Sequence, residues 1–348
     1  MSDYYVSKIS ASDKRAMAQV DSLLQKEGIR RDGNLDYTCG VYDSDYKIIA
    51  TGSAFGNTLR CFAVSSDHQG EGLMNLVMSH LLEHELNCGI SHVFVYTKTS
   101  TAKFFIDIGF HEIARVEGSF VFLENRGNGF KNYLAHLADS SFKDGVSGAI
   151  VLNANPFTKG HLHLVKTASA QCDHLHIFVV SEDKSIFPYK VRRLLVEKGT
   201  EELKNVSIHE SGPYIISNAT FPSYFLKDET DVMKKHALLD ATVFTSIAKA
   251  MNIKKRFVAE EPFSAVTSVY NTVLSEHLPQ NGIDFDIIPR LEYNGTPISA
   301  SNVRLAVKNS DWDTLEKIVP ETTFSYLRSP EAEPVIEAIK AQENVIHH

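Results

Sequence analysis

A threonine, a glycine and a histidine at the spacing T-x-G-H, Thr158, Gly160 and His161, follow the apolar run Gly148 to Leu152 and open a segment of helical periodicity. Between the run and the tetrad lie Asn153, Ala154, Asn155, Pro156 and Phe157, a turn stiffened by its proline. The chemistry such a step supports is phosphate binding. A helix that starts there directs free N–H groups and its positive dipole end outward. Gly160 lets backbone approach a ligand, and the Thr158 hydroxyl and His161 imidazole, three residues apart, can face one phosphate with Lys159 beside them. The same letters would also serve a plain threonine cap with a solvated histidine.

A second set stands near the end of the chain, in Gly295-Thr296-Pro297-Ile298-Ser299-Ala300-Ser301-Asn302-Val303-Arg304. Ser299 or Ser301 can cap a helix and bind phosphate together, and Arg304, one turn in, can reach the same anion with its planar fork. A serine cap with a solvated arginine is the alternative. Lys190, with Arg192 and Arg193, follows Phe187-Pro188 at another helix start, as a phosphate contact or as a solvated basic face. Ser217, Thr220 and Tyr224 in SNATFPSY surround Pro222 and suggest a loop that shapes a small substrate pocket. Cys172, His174 and His176 alternate, which puts them on one face of a strand; packing against helices explains them better than metal ligation, and no metal site is assigned.

The elements that position these residues divide at a seam. Residues 147–348 alternate strand and helix: GAIVL, a helix from Lys159, HLHIFVVS, a helix from Tyr189, VSIHE, a helix over Glu229 to Met251, KRFVAE, a helix from Ser264, DFDIIP and a helix from Ser299. That order predicts right-handed crossovers and a Rossmann-like parallel sheet, with ligands at the strand C-termini. A helical tail follows Pro330. Residues 126–146 mix Gly, Asn, Ser and charge around one short apolar stretch and read as a linker with about one and a half helical turns. Residues 1–125 are mixed α+β, with several short β-rich runs and two amphipathic helices. There Gln69-Gly70-Glu71-Gly72 leads from strand to helix, placing glycines where backbone N–H groups would meet a pyrophosphate.

The 348 residues, 43% hydrophobic and 22% charged, suit two globular domains. A net charge of −8 gives no general basic surface, so neither nucleic acid nor an anionic membrane is expected as a partner. Four scattered cysteines form no C-x-x-C pair, which fits a reducing cytoplasm. The first ten residues lack a basic region followed by an apolar stretch, and no apolar run reaches the ~20 residues of a membrane span, so secretion and insertion are not expected.

Asn155-Pro-Phe-Thr158-Lys-Gly-His161 resembles the (H/T)xGH signature of the nucleotidylyltransferase superfamily, and Ile298-Ser-Ala-Ser301-Asn-Val-Arg304 resembles its I-S-S-T-x-x-R signature. Thr158 stands where a first histidine is commoner, and Asn155 where many members carry aspartate. Together with ISNATFPSYFLKDE, EEPF and VTSVYN, these stretches look like the citrate lyase ligase family. The Gln69 to Leu73 loop and YTKTSTAKFFIDIGFHEI resemble GNAT acyltransferases, with Met74 where that loop usually ends in Gly or Ala.

The resemblance implies an acid–thiol ligase. It would use ATP, Mg2+ and acetate to acetylate the CoA-like prosthetic-group thiol on the acyl carrier subunit of citrate lyase through acetyl-adenylate, releasing AMP and pyrophosphate. His161, Thr158 and Arg304 would be catalytic. Asn153, Asn155, Pro156, Phe157, Lys159, Gly160, Lys190, Ser299 and Ser301 would bind the nucleotide, and Gln69, Gly70 and Gly72 the CoA-like arm. Two other readings stay open: an adenylyltransferase acting on a phosphorylated cofactor precursor, and a GNAT-type acyltransferase.

Overall fold

The computed structural model describes residues 4–181, 185–215, 229–260 and 265–342. These group into two compact units, one drawn from Met1–Gly129 and Phe221–Leu239, the other from Phe130–Thr220 and Asp240–His348.

The first unit contains β1 (Tyr5–Lys8), α1 (Lys14–Lys26), β2 (Tyr37–Tyr42), β3 (Ile48–Phe55), β4 (Thr58–Val64), α2 (Leu73–Asn87), β5 (Phe94–Lys98), α3 (Ala102–Asp107), β6 (His111–Val116) and β7 (Phe120–Glu124). The strands form one sheet in the order β1-β2-β3-β4-β5-β7-β6. Helices cover both faces of β3, which is buried along its whole length. Val20, Leu23 and Leu24 of α1 recur at helical spacing and pack with Ile48, Cys61 and Ala63. Leu73, Val77 and Leu81 of α2 close the other face over Cys39, Val41 and Ile49. Gly52 has no side chain because a Cβ there would lie 2.5 Å from Val77 Cγ1. All neighbours are antiparallel except β4 and β5, which run parallel and pair only at Thr58/Phe94 and Leu59/Val95. Beyond those pairs the ladder stops, and a slot lies between the two strands.

The rest of the chain supplies α4 (Gly129–Ala138), β8 (Ser147–Leu152), α5 (Lys159–Ser169), β9 (His174–Val179), α6 (Tyr189–Thr200), β10 (Val206–Glu210), α7 (Glu229–Met251), β11 (Ile253–Ala259), α8 (Ala265–Gln280) and β12 (Asp284–Ile288). It continues with the short hairpin β13 (Glu292–Tyr293) and β14 (Thr296–Pro297), then α9 (Ala300–Lys308), α10 (Trp312–Ile318), α11 (Glu321–Leu327) and α12 (Glu333–Ala341). The segment expected to be a linker thus carries the ten-residue helix α4. Its Tyr133 hydroxyl donates to Ser211 O (2.8 Å), and its ring lies 4.9 Å from that of Tyr214.

The five strands of the second unit are all parallel, in the order β10-β9-β8-β11-β12. The chain moves outward from β8 through β9 to β10, then returns to β11 and β12 on the other side. The order therefore reverses between β8 and β11, and the carboxyl ends of those strands flank a crevice suited to a ligand. One sheet face, with Ile150, Leu152, Leu175, Ile177, Val179 and Phe257, packs on Leu164, Val165 and Ala168 of α5 and on Leu195 and Val196 of α6. Helices α9 to α12 bury their own cluster around Val303, Val307, Leu315 and Ile339. Among the described residues, no helix is long and apolar enough to cross a membrane.

Candidate active site

At the carboxyl end of β8 the chain turns sharply. Ala154 takes a left-handed backbone (φ +49°) and the Asn155–Pro156 peptide is cis. Asn155 and Phe157 are buried, and their polar groups are satisfied from distant elements. Asn155 Oδ1 accepts the Phe187 N–H (3.0 Å), and Thr323 Oγ1 donates to Phe157 O (2.9 Å). Fixing this turn fixes where α5 begins.

Thr158 is the N-cap of α5 and His161 its third residue. The Thr158 hydroxyl accepts the His161 N–H (3.2 Å), while His161 Nδ1 accepts the Thr158 N–H (3.1 Å). This is a capping box in which an imidazole takes the place usually held by Glu or Gln. The reciprocal bond settles the tautomer: a backbone N–H can only donate, so Nδ1 carries no proton and Nε2 is the N–H donor. Burial, and then the charge of Arg290, lower His161 from the usual histidine range to about 4. The ring stacks on Phe157 at 5.8 Å and 13°. Near neutral pH, His161 is therefore a neutral, oriented hydrogen-bond donor.

The second motif is clasped to the first. Ser299 caps α9 by accepting the Asn302 N–H (3.1 Å). Arg304 turns inward, 2% exposed, giving Nη1 to Asn155 O (2.6 Å) and Nη2 to Ser301 Oγ (3.2 Å). Burial lowers its guanidinium to about 10, which leaves it charged at neutral pH. Gly160 was expected to admit a ligand. In the structure the Ile298 carbonyl lies against it, and its oxygen would be 2.6 Å from any Cβ placed there. The absence of a side chain lets these two stretches of backbone meet.

Lys159 Nζ donates to Glu316 O (3.0 Å), and Lys190 is exposed in the first turn of α6. Asn153 is exposed and Pro156 buried within the turn. Ser217, Thr220 and Tyr224 lie outside the described residues. Gln69, Gly70 and Gly72 line a cavity of about 660 Å³ in the first unit, together with Phe62 and Val64 of β4 and Tyr96 and Thr97 of β5. Gly70 (φ +88°) and Gly72 (φ +77°) both need the left-handed backbone that glycine adopts freely.

Two further arginines are held by backbone carbonyls near these strand ends. Arg192 is fully buried; Nε donates to Phe187 O (2.9 Å), and Nη1 to Asn153 O (2.8 Å) and Val180 O (2.7 Å). It ties the ends of β8 and β9 to the loop before α6. Its signal was present: Arg192, Leu195 and Val196 share one stripe of α6. Arg290 follows the end of β12, and its Nε donates to Glu260 O (2.6 Å) just past β11. No local pattern marks it, because only the pairing of β12 with β11 brings it beside Glu260.

The family profile described as "Citrate lyase ligase C-terminal domain" matches residues 147–327. The curated [Citrate [pro-3S]-lyase] ligase of Escherichia coli K12 is 35% identical over 328 residues, covering 92% of this chain and 93% of its own length. The protein of the same name from Klebsiella pneumoniae is 35% identical over 320 residues, covering 90% and 93%. Among solved structures, a GNAT-family acetyltransferase from Staphylococcus aureus has a TM-score of 0.30 at 12% identity, covering 35% of this chain and 99% of its own. With the profile matching residues 147–327 and its relatives aligned over nine-tenths of their length, the chain belongs to the citrate lyase ligase family.

Proposed function

We propose that this protein is an ATP-dependent acid–thiol ligase that acetylates the prosthetic-group thiol on the acyl carrier subunit of citrate lyase, acting in the cytoplasm. The names of its relatives support the reaction class. The observation that carries the mechanism is the clasp at the sheet crevice, where the His161 turn and the Ser299–Arg304 turn meet through Gly160, Ile298 and Asn155.

Acetate is ionised near neutral pH, its pKa being about that of a side-chain carboxyl, roughly 4, so no general base is required. A carboxylate oxygen attacks the α-phosphorus of ATP. The bond from that phosphorus to the bridging oxygen breaks, and pyrophosphate leaves with the electron pair. What the protein supplies is position and charge stabilisation. His161 Nε2–H and the free N–H groups at the start of α5 donate to phosphate oxygens without giving up a proton. The thiol sulfur then attacks the acyl carbon of acetyl-adenylate, the bond to the AMP oxygen breaks, and the thiol proton passes to solvent.

Among the described residues, no group of three or more His, Cys, Asp or Glu side chains is placed to hold a metal ion. Magnesium would enter on the phosphates of ATP rather than on a protein carboxylate cluster, and would supply neutralisation of phosphate charge. In the GNAT-like first domain, residues 1–125, the slot between β4 and β5 has the volume of a small-molecule site and would take the CoA-like arm along Gln69, Gly70 and Gly72.

The test is pyrophosphate release from magnesium ATP by wild type and His161→Ala, with and without acetate. Release that needs acetate and is lost in the variant is expected. Release indifferent to acetate would replace the carboxylate with another nucleophile, and acetyl-CoA-dependent turnover that survives His161→Ala would overturn the reading.

A further inference from the structure

Phe157 and Thr158 share one peptide, and its two polar ends have separate partners. The Thr158 N–H donates to His161 Nδ1 (3.1 Å), whereas Phe157 O accepts the Thr323 hydroxyl of α11 (2.9 Å). A trans peptide, as this one is, stays planar and sends its N–H and C=O in opposite directions. Whatever fixes the oxygen therefore aims the hydrogen. That hydrogen is what keeps Nδ1 without a proton and leaves Nε2 as the donor.

The carbonyl stands outside the helix it precedes. The ladder of α5 begins with Thr158 O, which accepts the Leu162 N–H (3.0 Å), so Phe157 O takes no part in it. Phe157 and Thr323 are both fully buried. A buried carbonyl that loses its donor costs about 1–3 kcal/mol, enough to turn the peptide toward another partner. Any such turn carries the Thr158 N–H away from the imidazole. The Phe157 ring is braced separately: it stacks on His161 and closes on Gly199 of α6, where an added Cβ would lie 2.5 Å from its Cε1. A helical threonine often returns its hydroxyl to the preceding turn of its own helix. Thr323, the third residue of α11, reaches instead to a turn 166 residues earlier. Its donation also polarises the peptide, which strengthens the N–H at the other end.

We propose that Thr323 is a positioning residue for the nucleotide site: through the Phe157–Thr158 peptide, its hydroxyl holds His161 in the tautomer and orientation that direct Nε2–H at the phosphates of ATP. This rests on the ATP-cleaving reading above and adds to it a residue outside both motifs.

The experiment uses the full chain as wild type, Thr323→Val, Thr323→Ala and Thr323→Ser. Valine keeps the shape and removes the donor, whereas serine keeps the donor and removes a methyl group. Acetate-dependent pyrophosphate release is measured, and the tautomer of His161 is read near neutral pH by nitrogen NMR of histidine-labelled protein, its signal assigned by its loss in His161→Gln. Thr323→Val should lower kcat by about ten-fold, short of the 100-fold or more expected when a stabilising donor is removed outright, and leave the acetate KM within about two-fold. Its His161 signal should change from the single Nε2–H form to a mixture of both tautomers. Thr323→Ser should keep the wild-type signal and stay within about three-fold of wild-type kcat. Thermal melts identify folded variants; where Thr323→Val melts early, Thr323→Ala set against Thr323→Ser makes the same comparison. A folded donor-free variant that keeps its kcat, or that slows with the tautomer unchanged, would overturn the proposal, as would a serine variant as impaired as the valine one. If wild type releases no pyrophosphate with acetate, yet Thr323→Val mixes the tautomers and Thr323→Ser does not, the acetate reading fails and the positioning by Thr323 stands.

Discussion

Gly160→Ala puts the clasp under direct strain. The new Cβ would sit 2.6 Å from Ile298 O, where ordinary contact begins near 3.4 Å, so one of two backbones must yield by the better part of an ångström. Gly160 is the second residue of α5, and the helix alone would favour alanine by about 1 kcal/mol. Overpacking against rigid neighbours costs about 1–3 kcal/mol. The net loss of stability should then fall between nothing and about 2 kcal/mol, which is modest. The effect on activity should be larger, because the easiest motion carries Ile298, and with it Ser299 and Arg304, away from the α5 start; a misplacement near 1 Å can cost about 100-fold in rate. Urea unfolding gives the first quantity, and acetate-dependent pyrophosphate release the second. Gly295→Ala is the control: its φ of +72° strains any alanine, but no atom lies within 4 Å of the added Cβ. It should lose stability with little change in kcat/KM. If Gly160→Ala kept both its unfolding midpoint and its kcat/KM, the clasp would not be what aligns the two motifs.

Further outcomes follow from other contacts. His161, His176 and His209 are held at about 4, 3 and 4, chiefly by burial and then by neighbouring charge. The unfolded chain would titrate them near 6.5 and so binds protons that the folded chain refuses; stability should be full above about pH 7 and fall as pH drops from about 6.5 toward 4, with urea midpoints across that range showing a shallower fall in His176→Gln. Arg192→Lys removes the fork that serves Phe187 O, Asn153 O and Val180 O at once, and unfolding should show a loss of about 2–4 kcal/mol. Gly72→Val forces a branched side chain onto φ +77° in the loop of the first unit; it should raise KM for the acyl carrier substrate and leave acetate-dependent pyrophosphate release intact.

The sequence displayed more of the second unit than of its site. Uniform alternation of strand and helix is enough to foresee the parallel sheet, and Thr158 sits at the cap position that its spacing foretold. The direction of a long side chain is another matter. Arg304 lies one turn into its helix, as read, yet local spacing does not say whether a guanidinium faces solvent or a carbonyl on a strand-end turn about 150 residues earlier. Arg192 was readable, since it shares the buried stripe of Leu195 and Val196, but two neighbouring basic residues suggested an exposed face. Arg290 carried no signal at all: it is a single arginine in a short connection, and only the pairing of β12 with β11 gives it a setting. In the first unit, the glycines at 70 and 72 announced a special backbone, whereas the slot depends on β4 and β5 ceasing to pair after two residues, which no residue type dictates.

The contact between Gly160 and Ile298 also sets a timetable for synthesis. About 140 residues separate the two, and at a ribosomal pace of roughly 5–20 residues per second the start of α5 waits on the order of ten seconds or more for its covering carbonyl. Arg304 and Thr323, which satisfy the carbonyls of Asn155 and Phe157, emerge later still. Until then the nascent chain holds the first motif in sequence but not in shape. A chain truncated anywhere between residues 161 and 304 would therefore carry an intact T-x-G-H tetrad without the contacts that organise it, a product for proteases and chaperones to remove.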